Sequence, residues 1–255
     1  MKLKNFFSAA AIVASAALAA SSANAFPKFT VDATAYGGSS FEADKITGGY
    51  NEGITFNSGS TFDLSLLVNF GQFFNGATQL LGTGINNDYQ LYATFTGSGT
   101  YSTAGAATSF SLNPGGSLAV WLDPNLDTTF AAPATALPWG ITPGTSDVLI
   151  ATGQAIIGNG SLTCSGSNNC GSFGQTTSFT LTDPAGTSFF TVPNPFYDMA
   201  ITTGQFNGFP IVVGGSQLLN GSADTVFQRV PEPGTLALIG LAALGLGVGT
   251  RRRAS

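Results

Sequence analysis

Thr61-Phe62-Asp63-Leu64-Ser65-Leu66-Leu67-Val68-Asn69-Phe70 decides the fold. Phe62, Leu64, Leu66, Val68 and Phe70 alternate with Thr61, Asp63, Ser65, Leu67 and Asn69. Successive side chains of an extended chain point to opposite faces, so this pattern predicts a strand with one buried face. Tyr89, Leu91, Ala93 and Phe95 repeat it. Gly97-Ser98-Gly99 then reads as a hairpin turn into Thr100 to Thr103,. Phe110-Ser111-Leu112 is followed by Pro114-Gly115-Gly116 and a further alternating run, Leu118, Val120 and Leu122. Other strands are expected at 147–152, 177–182, 199–203, 209–213 and 225–228. The longest stretch without a pattern, Asp123 to Pro143, holds Pro124, Pro133, Pro138 and Pro143 and reads as a surface loop,.

Residues 26–230 are rich in Gly, Ser, Thr, Asn and Phe and poor in Lys and Glu, which disfavours long helices and suits strands joined by tight turns,. The expected fold is all-β, a two-sheet antiparallel sandwich or jelly roll in one domain. Strand order is not fixed by a period of two. No internal repeat of fixed length is present, which disfavours solenoids.

The same segment carries three bases, Lys28, Lys45 and Arg229, against twelve acids, a net charge of −9. Nucleic acid and anionic membrane surfaces need clustered Lys and Arg and are disfavoured as partners. The 255-residue chain has no histidine, which removes the usual nucleophilic triads and the common zinc and iron ligand sets. A carboxylate-pair glycosidase needs no histidine, and Glu42 and Asp44 could share one side of a strand. A solvated strand edge explains them better, so no enzyme activity is expected. Asp123, Asn125 and Asp127 form a D-x-N-x-D run whose oxygens could fold around calcium. Thr128 and Ala134 stand where an EF-hand needs glycine and glutamate,. A turn capped by its own Asp and Asn side chains explains the run equally well. Trp121 and Trp139 are the two tryptophans and hence candidate sugar-stacking platforms. Asn159-Gly160-Ser161 and Asn220-Gly221-Ser222 read as Asn-Gly turns.

Both ends read as processing signals. Lys2 and Lys4 precede an apolar stretch from Phe6 to Ala20, and Ala23-Asn24-Ala25 supplies small residues at a cleavage position. Residues 1–25 are therefore expected to be a helical signal peptide, with Phe26 opening the mature chain,. Export permits a disulfide, and Cys164 and Cys170, the only cysteines, would close a small loop and stabilise by about 2 kcal/mol at most,. At the other end, residues 231–255 combine Pro231-Glu232-Pro233, an uncharged run from Thr235 to Gly249 and Arg251, Arg252 and Arg253. As a helix that run spans roughly 24 Å, a short transmembrane segment against a bilayer core of about 30 Å. The arginines would hold its end in the cytoplasm.

Pro-Glu-Pro, a short Gly/Ala/Leu helix and a terminal arginine cluster together resemble the PEP-CTERM sorting tail. The resemblance implies recognition and cleavage by an exosortase in a Gram-negative bacterium that makes exopolysaccharide, after transient anchoring in the inner membrane. A second resemblance spans most of the mature chain. Phe26-Pro27-Lys28-Phe29-Thr30-Val31-Asp32, Ala43-Asp44-Lys45-Ile46-Thr47-Gly48, the stretch Leu122 to Phe130, the Cys164 to Gly174 loop ending in Cys170-Gly171-Ser172-Phe173-Gly174, and Pro195-Phe196-Tyr197 resemble the flocculation-associated PEP-CTERM proteins. That implies a non-enzymatic surface or matrix protein promoting exopolysaccharide-dependent aggregation in flocs or biofilm. The competing expectation is a lectin-like module built on the Asp123 to Pro143 loop, with Trp121 or Trp139 as platform and calcium as its ion. A buried Trp121 favours the first and an exposed tryptophan beside ordered carboxylates the second.

Overall fold

A computed structural model describes residues 26–132, 139–163 and 169–228. The expected signal helix, the sorting tail and Cys164 lie outside the described residues. In chain order the strands are β1 (Phe29–Asp32), β2 (Ser40–Ala43), β3 (Lys45–Asn57), β4 (Thr61–Asn75), β5 (Thr78–Gln79), β6 (Gln90–Ala104), β7 (Ala107–Leu112), β8 (Gly115–Asp123), β9 (Thr129–Ala131), β10 (Gly140–Thr142), β11 (Val148–Leu162), β12 (Asn169–Thr177), β13 (Thr180–Leu181), β14 (Phe190–Val192), β15 (Asp198–Asn207) and β16 (Ser216–Gln228). A short helix, α1, covers Ala185–Phe189.

The all-β expectation holds, and the deciding stretch lies within β4. The two-sheet sandwich does not hold. β3 pairs with β4, β4 with β6, and β6 with both β7 and β8, which lie end to end across Asn113 and Pro114. β7 and β8 pair in turn with β11, followed by β12, β15 and β16. β16 then pairs back to β3, from Ser216 opposite Thr55 to Val226 opposite Lys45. One antiparallel sheet thus closes on itself in chain order, an up-and-down barrel of eight strand positions,. Alternation is the same in a sandwich and a barrel. The closing ladder is made by backbone groups, which leave no mark in the side-chain pattern, and closure leaves the main sheet without a long exposed edge.

The lumen is filled. Phe62, Leu64, Leu66, Val68 and Phe70 of β4 join Leu91, Ala93 and Phe95 of β6 and Leu118, Val120 and Leu122 of β8 in one core. A bulge at Gly71 flips the phase of β4, so that Phe73 is also fully buried in that core,. Glycines inside the strands make room for rings. A Cβ on Gly99 would meet the Phe62 ring at 2.4 Å, so Gly97-Ser98-Gly99 is a thinned part of β6 and not the expected hairpin turn,. The expected Asn-Gly turns are likewise strand interiors: Gly160 lies beneath the Phe173 ring and Gly221 beneath that of Tyr50.

One end of the barrel is closed by the small sheet β14-β1-β2 together with α1. Its aromatic residues pack edge to face, Phe29 against Phe227 and Phe41 against Phe73, each at 4.8 Å between ring centroids,. Phe29 is near the start of the described chain and Phe227 near its finish, so both ends of the domain meet at this rim.

On the outside of the barrel, Ser65, Leu67 and Tyr92 are buried although their neighbours in sequence face the lumen. The cover is the expected loop after Asp123, which forms a flap carrying the β9–β10 hairpin. Phe130 packs edge to face on Tyr92 at 5.2 Å. Trp121 stacks parallel to Tyr92 at 6.4 Å, and Trp139 donates from Nε1 to the Ser65 carbonyl at 3.3 Å.

Candidate functional site

The flap's base gathers the acidic residues that the sequence singled out, with one it did not. Asp123 ends β8 and is fully buried. Its Oδ1 accepts from the amides of Asn125 (3.0 Å) and Leu126 (2.9 Å), and its Oδ2 from that of Thr128 (2.9 Å). Leu126 is held at a positive φ of 59° by this turn. Burial would raise the Asp123 pKa, but the hydrogen bonds from Thr128, Asn125 and Leu126 outweigh it and hold the carboxyl below its ordinary range,. Asn125 turns away and donates its amide to Ser146 Oγ at 3.2 Å.

Asp127 is exposed and accepts weakly from the Thr145 amide at 3.4 Å. The third carboxylate is Asp147, at the start of β11. Its Oδ2 accepts from Tyr92 Oη and from Thr128 Oγ1, each at 2.7 Å, while its Oδ1 is buried without a hydrogen-bond partner. Burial first, and then the bond to Asp147, push the Tyr92 phenol up. One oxygen each from Asp123, Asp127 and Asp147 lies within 4.8 Å of the others. The donor set is oxygen only, the kind that hard cations such as calcium take. Asp123 is largely committed to its own backbone, so Asp127 and Asp147 carry the free acceptor capacity. Spacing could not reveal Asp147 or Tyr92, because only the folding of the flap onto β6 brings them to the D-x-N-x-D run.

Trp121 and Trp139 are both half-buried: Trp121, on β8, stacks on its cross-strand neighbour Tyr92, and Trp139 ties the flap to β4. Glu42 and Asp44 have separate tasks. Glu42 pairs with Lys28 at 3.8 Å on the surface, whereas Asp44 is buried and accepts from the Gly76 amide at 2.7 Å. Cys170 is half-buried at the start of β12 and is not a free thiol. The expected Cys164–Cys170 bridge involves Cys164, which lies outside the described residues.

Inside the lumen lies a polar waist that no side-chain pattern announces. Glu52 of β3 is 6% exposed and lies beside small cavities lined by Leu64, Leu66, Phe173, Gln175 and Thr203. Burial pushes its carboxyl up to about 7. Gln175 Nε2 and Tyr50 Oη are buried without partners.

Residues 229–253 match the model of the PEP-CTERM protein-sorting motif. The chain carries a PEP-CTERM tail. That tail marks an exported protein, sorted by an exosortase and transiently held in a membrane. The match begins where the barrel ends and does not cover residues 26–228. No curated protein and no solved structure matches the chain. Among the described residues no helix is long and apolar enough to cross a membrane, and the tail's own segment lies outside them.

Proposed function

We propose that this PEP-CTERM protein is a non-enzymatic component of the cell surface or extracellular matrix, whose barrel contacts exopolysaccharide and promotes aggregation into flocs or biofilm. The observation that carries this reading over a calcium-dependent lectin is the placement of Trp121 and Trp139. A stacking platform needs an open aromatic face, whereas Trp121 is half-buried and stacked on its cross-strand neighbour Tyr92, and half-buried Trp139 is tied by Nε1 to the Ser65 carbonyl,. Outward positions such as Ser109, Ser111, Thr202 and Asp224 offer hydroxyls and carboxylates for many weak contacts. Avidity would come from the number of copies on one surface.

Processed protein mixed with the producer's exopolysaccharide should increase turbidity and sedimentation, equally with and without a calcium chelator. Saturable binding to one sugar, abolished by the chelator and by Asp127→Asn, would replace the matrix reading with the lectin. Mass spectrometry of surface protein should find a chain beginning at Phe26 and ending near Pro231-Glu232-Pro233. An intact Arg251 to Arg253 end would contradict processing.

A further inference from the structure

A surface depression of about 340 Å³ lies away from the flap. It lies at the closed end of the barrel, between the β4–β5 hairpin and the turn that leads into β6, and its size falls in the range of small-molecule sites, about 300–1,000 Å³,. Its shape is fixed by the backbone. The β4 bulge at Gly71 forms part of the lining, and Asn86, at a φ of 61°, donates its amide to the carbonyls of Phe70 and Gly71, each at 3.3 Å. Ser39 Oγ holds the Gly82 carbonyl at 2.9 Å. Gly84, at a φ of 86°, packs so closely on Gly38 that a Cβ would come within 2.7 Å of its Cα. These ties join the 80–88 turn both to β4 and to the segment before β2.

The lining is chemically one-sided. Gln72, Gln79 and Asn87 supply carboxamides, Asp88 a carboxylate and Leu81, 85% exposed, an apolar face. Lys and Arg are absent from the lining, and in a domain of net charge −9 the groove would repel phosphates, sulfates and uronates,. Carboxamides both donate and accept, which matches adjacent hydroxyls, and a leucine face suits the C–H side of a sugar ring.

We propose that this groove is a subsite for a neutral hexose chain, one weak contact per copy of the protein. The proposal rests on the exopolysaccharide-binding reading above and gives that reading a place and a ligand class.

The test titrates processed protein with cellohexaose, maltohexaose and laminarihexaose as neutral probes, and with hexagalacturonate and glucosamine hexamer as charged ones. At least one neutral hexasaccharide should bind with a millimolar Kd, and the double variant Gln79→Ala/Asn87→Ala should weaken it about tenfold. Leu81→Asp should do the same, its exposed position keeping the fold intact by melting temperature and circular dichroism. Asn125→Ala, on the flap, should leave binding unchanged. The proposal is overturned if no neutral probe binds at about 10 mM, if a charged hexamer binds more tightly, or if binding survives both groove variants. Aggregation that persists undiminished in the double variant would sink the groove and leave the matrix reading standing. Wild-type protein that binds a hexasaccharide but aggregates no polysaccharide would sink the matrix reading alone.

Discussion

The lumen and the flap both bury aromatic rings, but they hold them by opposite means. In the lumen, rings such as Phe62, Phe95 and Phe110 pack on apolar neighbours, with the Glu52 carboxyl buried beside them and Tyr50 Oη and Gln175 Nε2 without hydrogen-bond partners. At the flap, Trp121 and Phe130 pack on Tyr92, and carboxylates hold the arrangement down, with Asp147 taking the tyrosine proton donor and Asp123 taking three backbone amides. Burial thus stabilises the barrel, whereas charged acceptors stabilise its cover, and the two regions should respond to acid in opposite directions.

Phe62→Ala should break the comparison most severely. It empties a fully buried site and should cost about 3–5 kcal/mol in a denaturant melt,. The next effect belongs to Glu52. Its carboxyl is raised from 4.5 to about 7 in the folded barrel, so its contribution is intact below pH 4.5 and is lost as pH rises through 7,. Glu52→Gln should remove that loss and raise stability at pH 8 by roughly 2–3 kcal/mol. A melting temperature that falls with pH equally in both proteins would refute the assignment.

Tyr92→Phe deletes one donor to Asp147 and should cost about 1–2 kcal/mol. The loss should show as faster amide exchange in the flap, residues 124–132 and 139–147, with β3 and β4 unchanged. Asp123→Asn, which leaves at least one of the three amides without its acceptor, should cost a comparable amount at neutral pH, about 1–2 kcal/mol,. Asp123 is depressed below 3.8, so its stabilisation is present above that pH and fades as pH falls through the folded value,. The variant should therefore flatten the acid side of the stability profile, the side that Glu52 leaves untouched.

Legibility followed the same division. Where apolar side chains alternate, as in β4, β6 and β8, the chain announced its strands. β12 stayed hidden because its inward positions are Gly171, Phe173, Gln175 and Thr177, too polar and too small to mark a face. The apolar run Phe209 to Val213 imitated a strand, yet Phe209 plugs the lumen while Val212 and Val213 stand exposed in a loop with no ladder. β11 was read only in its first residues, since Gly158, Asn159 and Gly160 mimic a turn. Asp123, Asn125 and Asp127 were visible as a run, but their partners Asp147 and Tyr92 come from elsewhere in the chain and meet them only after β8 and β11 have paired. The tail was the easiest region of all, because a sorting signal must be readable before anything folds around it.

The closing strand has a mechanical consequence. β16 is bonded to β15 on one side and to β3 on the other, and it leads straight into the sorting tail. A pull between the C-terminus and a contact at the opposite rim, near the β3–β4 turn, runs along the axis of β16, so its hydrogen bonds are loaded together in shear and are not peeled one by one. In single-molecule stretching between the C-terminus and that turn, a gradual force ramp would contradict this picture and one abrupt rupture would support it. The seam that hides the barrel's last edge is also the point where the domain is best able to bear a load.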